Sequence, residues 1–213
     1  MTILKPRQTK ETDMKKMTVA KWLGAALLSI NIAFAAPQDA VNQVRQNASQ
    51  VLTILKKANG KNDVAVKKEA ENYALPYFDF ERMTRTAVGV QWNKATPAQR
   101  AALVKEVKTL LVRTYSQQML AYKNAKVEIN NKPIERNGGK IVDVNAVVTS
   151  AGKQPVKMTF STAPHGNKYL VHNVVIEGVI NLVVAQNKQF APILKQKGID
   201  GLIADLKAKN GSK

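Results

Sequence analysis

The sequence predicts an α+β protein in which an antiparallel sheet of about four strands is covered by a helical layer. Three zones of different period support this fold class. Residues 38–125 place apolar side chains at helical spacing, residues 126–178 alternate apolar and polar side chains, and residues 179–209 return to helical spacing. A strand that alternates in this way has one apolar face, so the helices of the outer zones are expected to cover it.

The first zone begins with two predicted helices. Apolar residues recur at helical spacing over residues 41–55, and Asn59-Gly60 ends this first helix. A second helix is predicted from Asp63 towards Ala74, where the nearby Pro76 stops it.

Two further helices follow in the same zone. Asp79 is placed to cap a helix that ends at Gly89. The tetrapeptide Thr96-Pro97-Ala98-Gln99 combines a cap, a proline at the first helical position and a capping box. The apolar residues that follow, as far as Tyr122, predict one long helix of about 25 residues, against a mean near 11.

The middle zone predicts a meander of four antiparallel strands. Turns are expected at Asn137-Gly138-Gly139, Ala151-Gly152-Lys153 and His165-Gly166-Asn167. The residues predicted to share a face within each strand are Val127 and Ile129, then Val142, Val144, Ala146 and Val148, then Val156, Met158 and Phe160, and finally Leu170, His172, Val174 and Ile176.

The last zone predicts two helices separated by a glycine. The first spans residues 182–194, Gly198 interrupts it, and residues 199–206 form a short final helix.

The N-terminal residues predict a secretory signal peptide. From Met14, three lysines precede an apolar run, and Ala33-Phe34-Ala35 is a cleavage motif. The run is shorter than the roughly 20 residues that a membrane span requires. We therefore expect residues 1–35 to be removed, with translation starting at Met1 or Met14. The remaining residues 36–213 are expected to be exported and to form a single domain.

Composition narrows the possible partners. The chain carries 33 basic and 15 acidic residues and no cysteine. Residues 1–35 hold 6 of the basic and 2 of the acidic ones, so the exported chain keeps 27 basic and 13 acidic residues, a charge of +14. Such a balance favours anionic lipid surfaces and acidic proteins. Export argues against nucleic acid, and a thiol enzyme is excluded.

No arrangement of residues in the sequence indicates catalysis or a metal site. Only His165 and His172 are present, one in a predicted turn and one on a strand, and no nucleophile motif accompanies them. Asp79 and Glu81 are the strongest candidate pair of carboxylates, but helix capping and surface pairing explain them more simply. We therefore expect no enzyme activity and no bound metal.

Residues 75–119 resemble the MlaC family of periplasmic phospholipid-binding proteins, also described as toluene-tolerance auxiliary proteins. The resemblance extends in order over the rest of the exported chain, with departures at Lys168-Tyr169, Ile180-Asn181 and Gln186-Asn187. The matching segments are Tyr77-Phe78-Asp79-Phe80, Met83-Thr84, Gly89, Trp92, residues 96–100, residues 110–115, residues 174–179 and residues 197–203.

The resemblance implies a lipid shuttle without a cofactor. It implies a deep apolar pocket between helices and sheet that holds a glycerophospholipid, with the headgroup at the mouth near basic side chains. The implied partners are an outer-membrane lipoprotein–porin complex and an inner-membrane ABC transporter with its substrate-binding subunit, and the implied role is to maintain outer-membrane lipid asymmetry. A monomer is the default. A binder of another hydrophobic solute and an interaction module without ligand remain as alternatives.

The residues expected to line the pocket come from two helices and three strands. The helices from Phe78 and from Thr96 are expected to stand off the sheet and leave space for acyl chains. A register slip of one residue would turn every strand choice to the other face. The predicted lining comprises Phe80, Met83 and Val88, then Leu103, Val107, Leu111 and Tyr115, and from the sheet Val144, Val148, Met158, Phe160, Val174 and Ile176.

Overall fold

The computed structural model describes residues 36–211, so the predicted signal peptide lies outside the described part of the chain. The helices are α1 (Pro37–Leu55), α2 (Asp63–Ala74), α3 (Phe80–Val88), α4 (Pro97–Ser116) and α5 (Leu182–Gly211). The strands are β1 (Lys126–Ile129), β2 (Ile134–Arg136), β3 (Ile141–Thr149), β4 (Val156–His165), β5 (Lys168–Ile176) and β6 (Ile180–Asn181).

The sheet is antiparallel with strand order β1-β3-β4-β5-β6, and β2 also pairs with β3. The four predicted strands correspond to β1, β3, β4 and β5, in the predicted order of neighbours. The strands β2 and β6 were not predicted, because three and two residues are too few to show an alternating pattern. The predicted α+β fold class is confirmed.

The sheet presents one apolar face, on which side chains of three strands stand in rows. Val144 pairs with Phe160, which pairs with Val174. The next row joins Ala146, Met158 and Ile176 through the same ladders, and Val148 lies two residues further along β3. The six strand residues of the predicted lining therefore share one face.

An irregularity in β5 changes the face of two residues. Ser161 pairs with Asn173 and Thr162 pairs with Val171, so His172 is an extra residue on β5. A bulge of this kind shifts the alternation by one. The prediction that Leu170 and His172 share the face of Val174 is therefore wrong for Leu170, which pairs with Ala163, and Val171 takes its place.

Helix α1 covers one part of the apolar face. Ala40, Val41 and Val44 pack with Val142, Val144 and Tyr169 in a buried cluster. Pro37 occupies the first turn of this helix, where its missing N–H costs nothing. We call this group the α1 core.

Helices α3, α4 and α5 form a second cluster around the buried Trp92, which we call the helical core. Helix α4 ends at Ser116, and a separate 3₁₀ turn covers Met119–Tyr122, so the prediction of one helix of about 25 residues is wrong. Helix α5 is broken at Gly198 (φ 67°, ψ −165°), as the sequence predicts. The residues of the helical core are Met83, Ala87, Val88, Trp92, Leu103, Val107, Leu111, Val183, Phe190, Leu194, Leu202, Ile203 and Leu206.

Candidate functional site

A group of large apolar side chains lies where the buried clusters of the protein meet. Phe78 packs against both the helical core and the cluster of Val171, Val174 and Leu182 on β5 and α5. The other members are Phe80, Met158, Phe160 and Ile176, and all five are only half-buried. We call this group the apolar seam.

An aromatic pair connects the seam to the helices. The rings of Phe78 and Phe80 stack with centroids 5.8 Å apart and planes 25° apart. Phe78 is joined to the sheet by a parallel bridge with Val171, and the backbone N–H of Asp79 donates to the carbonyl of Val171 at 2.9 Å. The aromatic segment is therefore an extension of the sheet that leads into α3.

The predicted lining residues separate into groups in the structure. Phe80, Met158, Phe160 and Ile176 belong to the seam, with the buried Val174 beside them. Val148 is half-buried on the same face, and Tyr115 is 37% exposed. The residues that pack inside a core are Met83, Val88, Leu103, Val107 and Leu111 in the helical core and Val144 in the α1 core.

Phe78 belongs to this candidate site but is not among the predicted lining residues, although it lies in the segment Tyr77-Phe78-Asp79-Phe80 singled out by the sequence. It precedes the cap of α3 and so lies outside the helical periodicity on which the choice of Phe80 and Met83 was based. The sequence signal that could have identified Phe78 is the presence of three aromatic residues, Tyr77, Phe78 and Phe80, around the single cap Asp79. A helix start does not require so many aromatic side chains.

Asp79 and Glu81 do not assemble into a pair of acid–base groups. The Asp79 carboxylate accepts the backbone N–H of Arg82 at 2.8 Å, as the predicted cap of α3. Glu81 is exposed in the first turn of the helix. Neither carboxylate lines the cleft that lies between α2 and α4.

A cleft of about 510 Å³ lies between α2 and α4. Its charged side chains are Lys67, Lys105, Lys108 and Arg113, opposed by the single carboxylate of Glu71. We call it the basic cleft. Its remaining lining residues are Leu75, Thr109, Val112, Ser116 and Gln117.

Two contacts connect the basic cleft to its surroundings. The Lys108 Nζ lies 5.4 Å from the centroid of the Phe80 ring, so one residue lines the cleft and touches the seam. Arg113 donates from Nη1 to the carbonyls of Lys209 and Asn210, at 2.6 and 3.2 Å, which fixes the end of α5 beside the cleft.

His172, on β5, lies near charged side chains of α3 and of the strands β2 and β3, namely Arg82, Arg136 and Asp143. Burial, together with the positive charge of Arg82, lowers the pKa of His172 from 6.5 to about 4, so the imidazole is neutral at neutral pH. Within residues 36–211 its Nε2 has no hydrogen-bond partner. The nearby Arg136 and Asp143 form an ion pair at 2.7 Å.

Residues 36–211 contain neither a cluster of metal ligands nor a helix that could span a membrane. No group of three His, Asp or Glu side chains in this part of the chain is placed to hold a metal ion. None of the described helices is both long and apolar enough to cross a membrane.

The three departures from the resembled pattern have local roles. The Asn181 side chain accepts the backbone N–H of Val184 at 3.0 Å and so caps α5. Asn187 donates from Nδ2 to the carbonyl of Ala87 at 2.9 Å, which ties α5 to the end of α3. Tyr169 is buried in the α1 core.

The fold and the site define an α+β protein in which an apolar seam lies between an antiparallel sheet and a set of helices. The family model described as MlaC protein matches residues 45–208, and the chain belongs to this family. The family prediction is therefore confirmed. The structure is also similar to that of a phospholipid-binding protein from Ralstonia solanacearum, solved in complex with a phospholipid. That similarity has a TM-score of 0.68 at 26% identity and covers 81% of this chain and 97% of the other.

Proposed function

We propose that this protein is a periplasmic carrier that binds one glycerophospholipid with its acyl chains in the apolar seam. It shuttles the lipid between an outer-membrane lipoprotein–porin complex and an inner-membrane ABC transporter complex, and so helps to maintain outer-membrane lipid asymmetry. The observation that carries the proposal is the seam itself. Its five large apolar side chains stay half-buried while neighbouring residues are packed in closed cores.

The physical need for such a carrier follows from the hydrophobic effect. A diacyl lipid has about 30 methylenes, and exposing each one to water costs about 0.8 kcal/mol. The total of roughly 24 kcal/mol makes unassisted passage through an aqueous space negligible. A carrier must therefore surround both chains with apolar side chains.

The chemistry of the seam suits flexible hydrocarbon. Met158 is unbranched and polarizable, so it adapts to irregular apolar shapes, and the Phe78, Phe80 and Phe160 rings supply large contact areas. Because Phe78 and Phe160 contact more than one cluster, a chain inserted between them would be bounded by sheet and helices together. Membership of the MlaC family and the similarity to a protein solved with a phospholipid support the same ligand class.

The test is to express the chain with its N-terminal segment, purify it and record its native mass, then extract and identify any lipid. One diacyl phospholipid per chain is expected. A chain that arrives empty and stays empty after incubation with phospholipid vesicles contradicts the proposal. A smaller apolar compound in the extract would favour a binder of another hydrophobic solute.

A further inference from the structure

We propose that the basic cleft binds an anionic phosphate-bearing group, namely the headgroup of a glycerophospholipid that carries a net negative charge. The inference rests on the proposed function and adds a headgroup preference to it. It assigns the headgroup a seat between α2 and α4, beside the seam that takes the acyl chains.

The charge of the cleft is the first argument. Four cationic side chains face one carboxylate, which leaves a net charge of +3. Across residues 36–211, neither Glu71 nor any of the three lysines of the cleft takes part in an ion pair. Unpaired cations around a concave surface attract an anion and repel the ammonium group of a zwitterionic headgroup.

The position of Lys105 and Lys108 on α4 shows that they are not there to complement the helix dipole. Cations near the end of a helix often complement its dipole, but this effect is confined to the last turn. Lys105 and Lys108 lie at least eight residues before the end of α4 at Ser116, so the dipole does not account for them. Arg113, by contrast, is in the last turn and already binds the carbonyls at the end of α5.

The cleft combines polar and apolar lining residues on the outer side of α4. Lys105 and Thr109 stand on the side of α4 opposite to Leu103 and Val107, since two residues correspond to about 200° around a helix. Thr109, Ser116 and Gln117 add hydrogen-bonding groups, and Leu75 and Val112 supply apolar contact. The cleft is thus an indentation of the surface, separate from the helical core.

A chain of contacting side chains connects the cleft to the seam. Lys108 touches the Phe80 ring, Phe80 stacks on Phe78, and Phe78 packs in the same cluster as Phe160 and Met158. A phosphate bound at Lys108 would therefore lie next to Phe80, at the end of the seam that α3 supplies.

The experiment measures which lipid the protein takes from a single membrane. The purified chain, freed of lipid, is incubated with vesicles of equimolar phosphatidylglycerol and phosphatidylethanolamine, recovered, and its lipid quantified by mass spectrometry. Both lipids come from the same surface, so attraction of the basic protein to the vesicle cannot create a preference. The charge-removal variant is K105Q/K108Q, and the matched control is K132Q/K140Q, which removes two exposed charges in the turns beside β2.

The wild type is expected to take up phosphatidylglycerol in preference to phosphatidylethanolamine by about tenfold. In K105Q/K108Q this preference should fall to about twofold or less. The change is modest because each of the two partly solvated charges contributes little to binding of the anionic headgroup. The control should keep the wild-type ratio, and Glu71→Gln should increase it. Equal loading of the two lipids by the wild type, or an unchanged ratio in K105Q/K108Q, overturns the inference but leaves the carrier function intact. No lipid in any sample contradicts the carrier function, and the headgroup assignment with it.

A second arm distinguishes a lipid headgroup from a free anion. Inorganic phosphate is titrated into the wild type and K105Q/K108Q and followed by calorimetry. Weak or no binding, alongside the lipid preference described above, supports the headgroup assignment. Suppose that the wild type binds phosphate, that K105Q/K108Q does not, and that the two proteins take up the two lipids in the same ratio. This result assigns the cleft to free phosphate and overturns the proposal.

Discussion

The backbone N–H of Asp79 donates to the carbonyl of Val171 at 2.9 Å, and the side chain of the same Asp79 accepts the N–H of Arg82 at 2.8 Å. One residue therefore ends an extension of the sheet and begins helix α3. The orientation of Phe78 and Phe80, which flank it in sequence, depends on both hydrogen bonds.

Asp79→Ala should lower the free energy of unfolding by about 1 kcal/mol, because the first turn of α3 loses its capping acceptor. Chemical denaturation followed by the fluorescence of Trp92 measures this, since Trp92 is the one tryptophan of residues 36–213. Glu81→Ala, in the same turn but exposed, should change stability by about 0.5 kcal/mol or less. Equal losses of unfolding free energy in the two variants would mean that Asp79 acts only as a surface charge and not as a helix cap.

Met158→Ser and Leu103→Ala should separate binding from stability. Met158 is half-buried in the seam, so its truncation should reduce the lipid that is retained after purification with little loss of stability. Leu103 is fully buried in the helical core, and its truncation should cost about 2–5 kcal/mol. The folded fraction of Leu103→Ala should still carry as much lipid per protein chain as the wild type.

The same pair of variants tests the predicted lining. If Leu103→Ala also loses lipid when it is folded, the helical core forms part of the pocket, as the sequence-based choice of Leu103, Val107 and Leu111 requires. A wild-type amount of lipid in Met158→Ser would remove the seam as the site of the acyl chains.

The pKa of His172 gives a pH dependence with a definite sign. Because burial lowers this pKa from 6.5 to about 4, the unfolded state binds the proton more readily than the folded state in that interval. The stability contributed by neutral His172 is present above pH 6.5 and is lost as the pH falls towards 4. Urea denaturation at a series of pH values should show a smaller decline for His172→Gln than for the wild type.

His165→Gln is the control for this experiment, because His165 is exposed at the end of β4. Its pH profile should match that of the wild type. A decline in His172→Gln as steep as in the wild type would assign the acid sensitivity to other groups.

Gly198→Ala should destabilise the protein by about 1–3 kcal/mol through the backbone alone. Gly198 has φ 67° and ψ −165°, a conformation that is open to glycine and costly for other residues. An added Cβ would meet no atom within 4 Å, so steric contact does not contribute. Gln196→Ala, two residues earlier at an exposed position, should be nearly neutral, and thermal unfolding of the three proteins compares them.

The sequence predicted the elements with strong local signals. The capping box at Thr96 and Gln99, the cap at Asp79 and the break at Gly198 are all present in the structure, because each depends on neighbouring residues only. The strand face of Val144, Phe160 and Val174 also followed from alternation. Leu170 was misplaced because a bulge at His172 has no reliable signature in the pattern of apolar residues.

The lining of the candidate site is less predictable from the sequence than the fold. A helical stripe such as Leu103, Val107 and Leu111 looks the same whether it packs against α5 or against a ligand. The distinction between core and seam depends on which elements meet, which is a tertiary property. The basic cleft was not predicted for the same reason. Nothing in the sequence connects Lys67 with Lys105, and they line one cleft only because α2 and α4 lie side by side.

Thr109 faces the basic cleft, and the whole chain contains no cysteine. A thiol introduced at Thr109 would therefore be the single reactive sulfur of the molecule, placed at the cleft and not at the seam. Labelled with an environment-sensitive dye, that position reports arrival and departure of a headgroup in real time, without native thiols to remove and without a change to any charged residue.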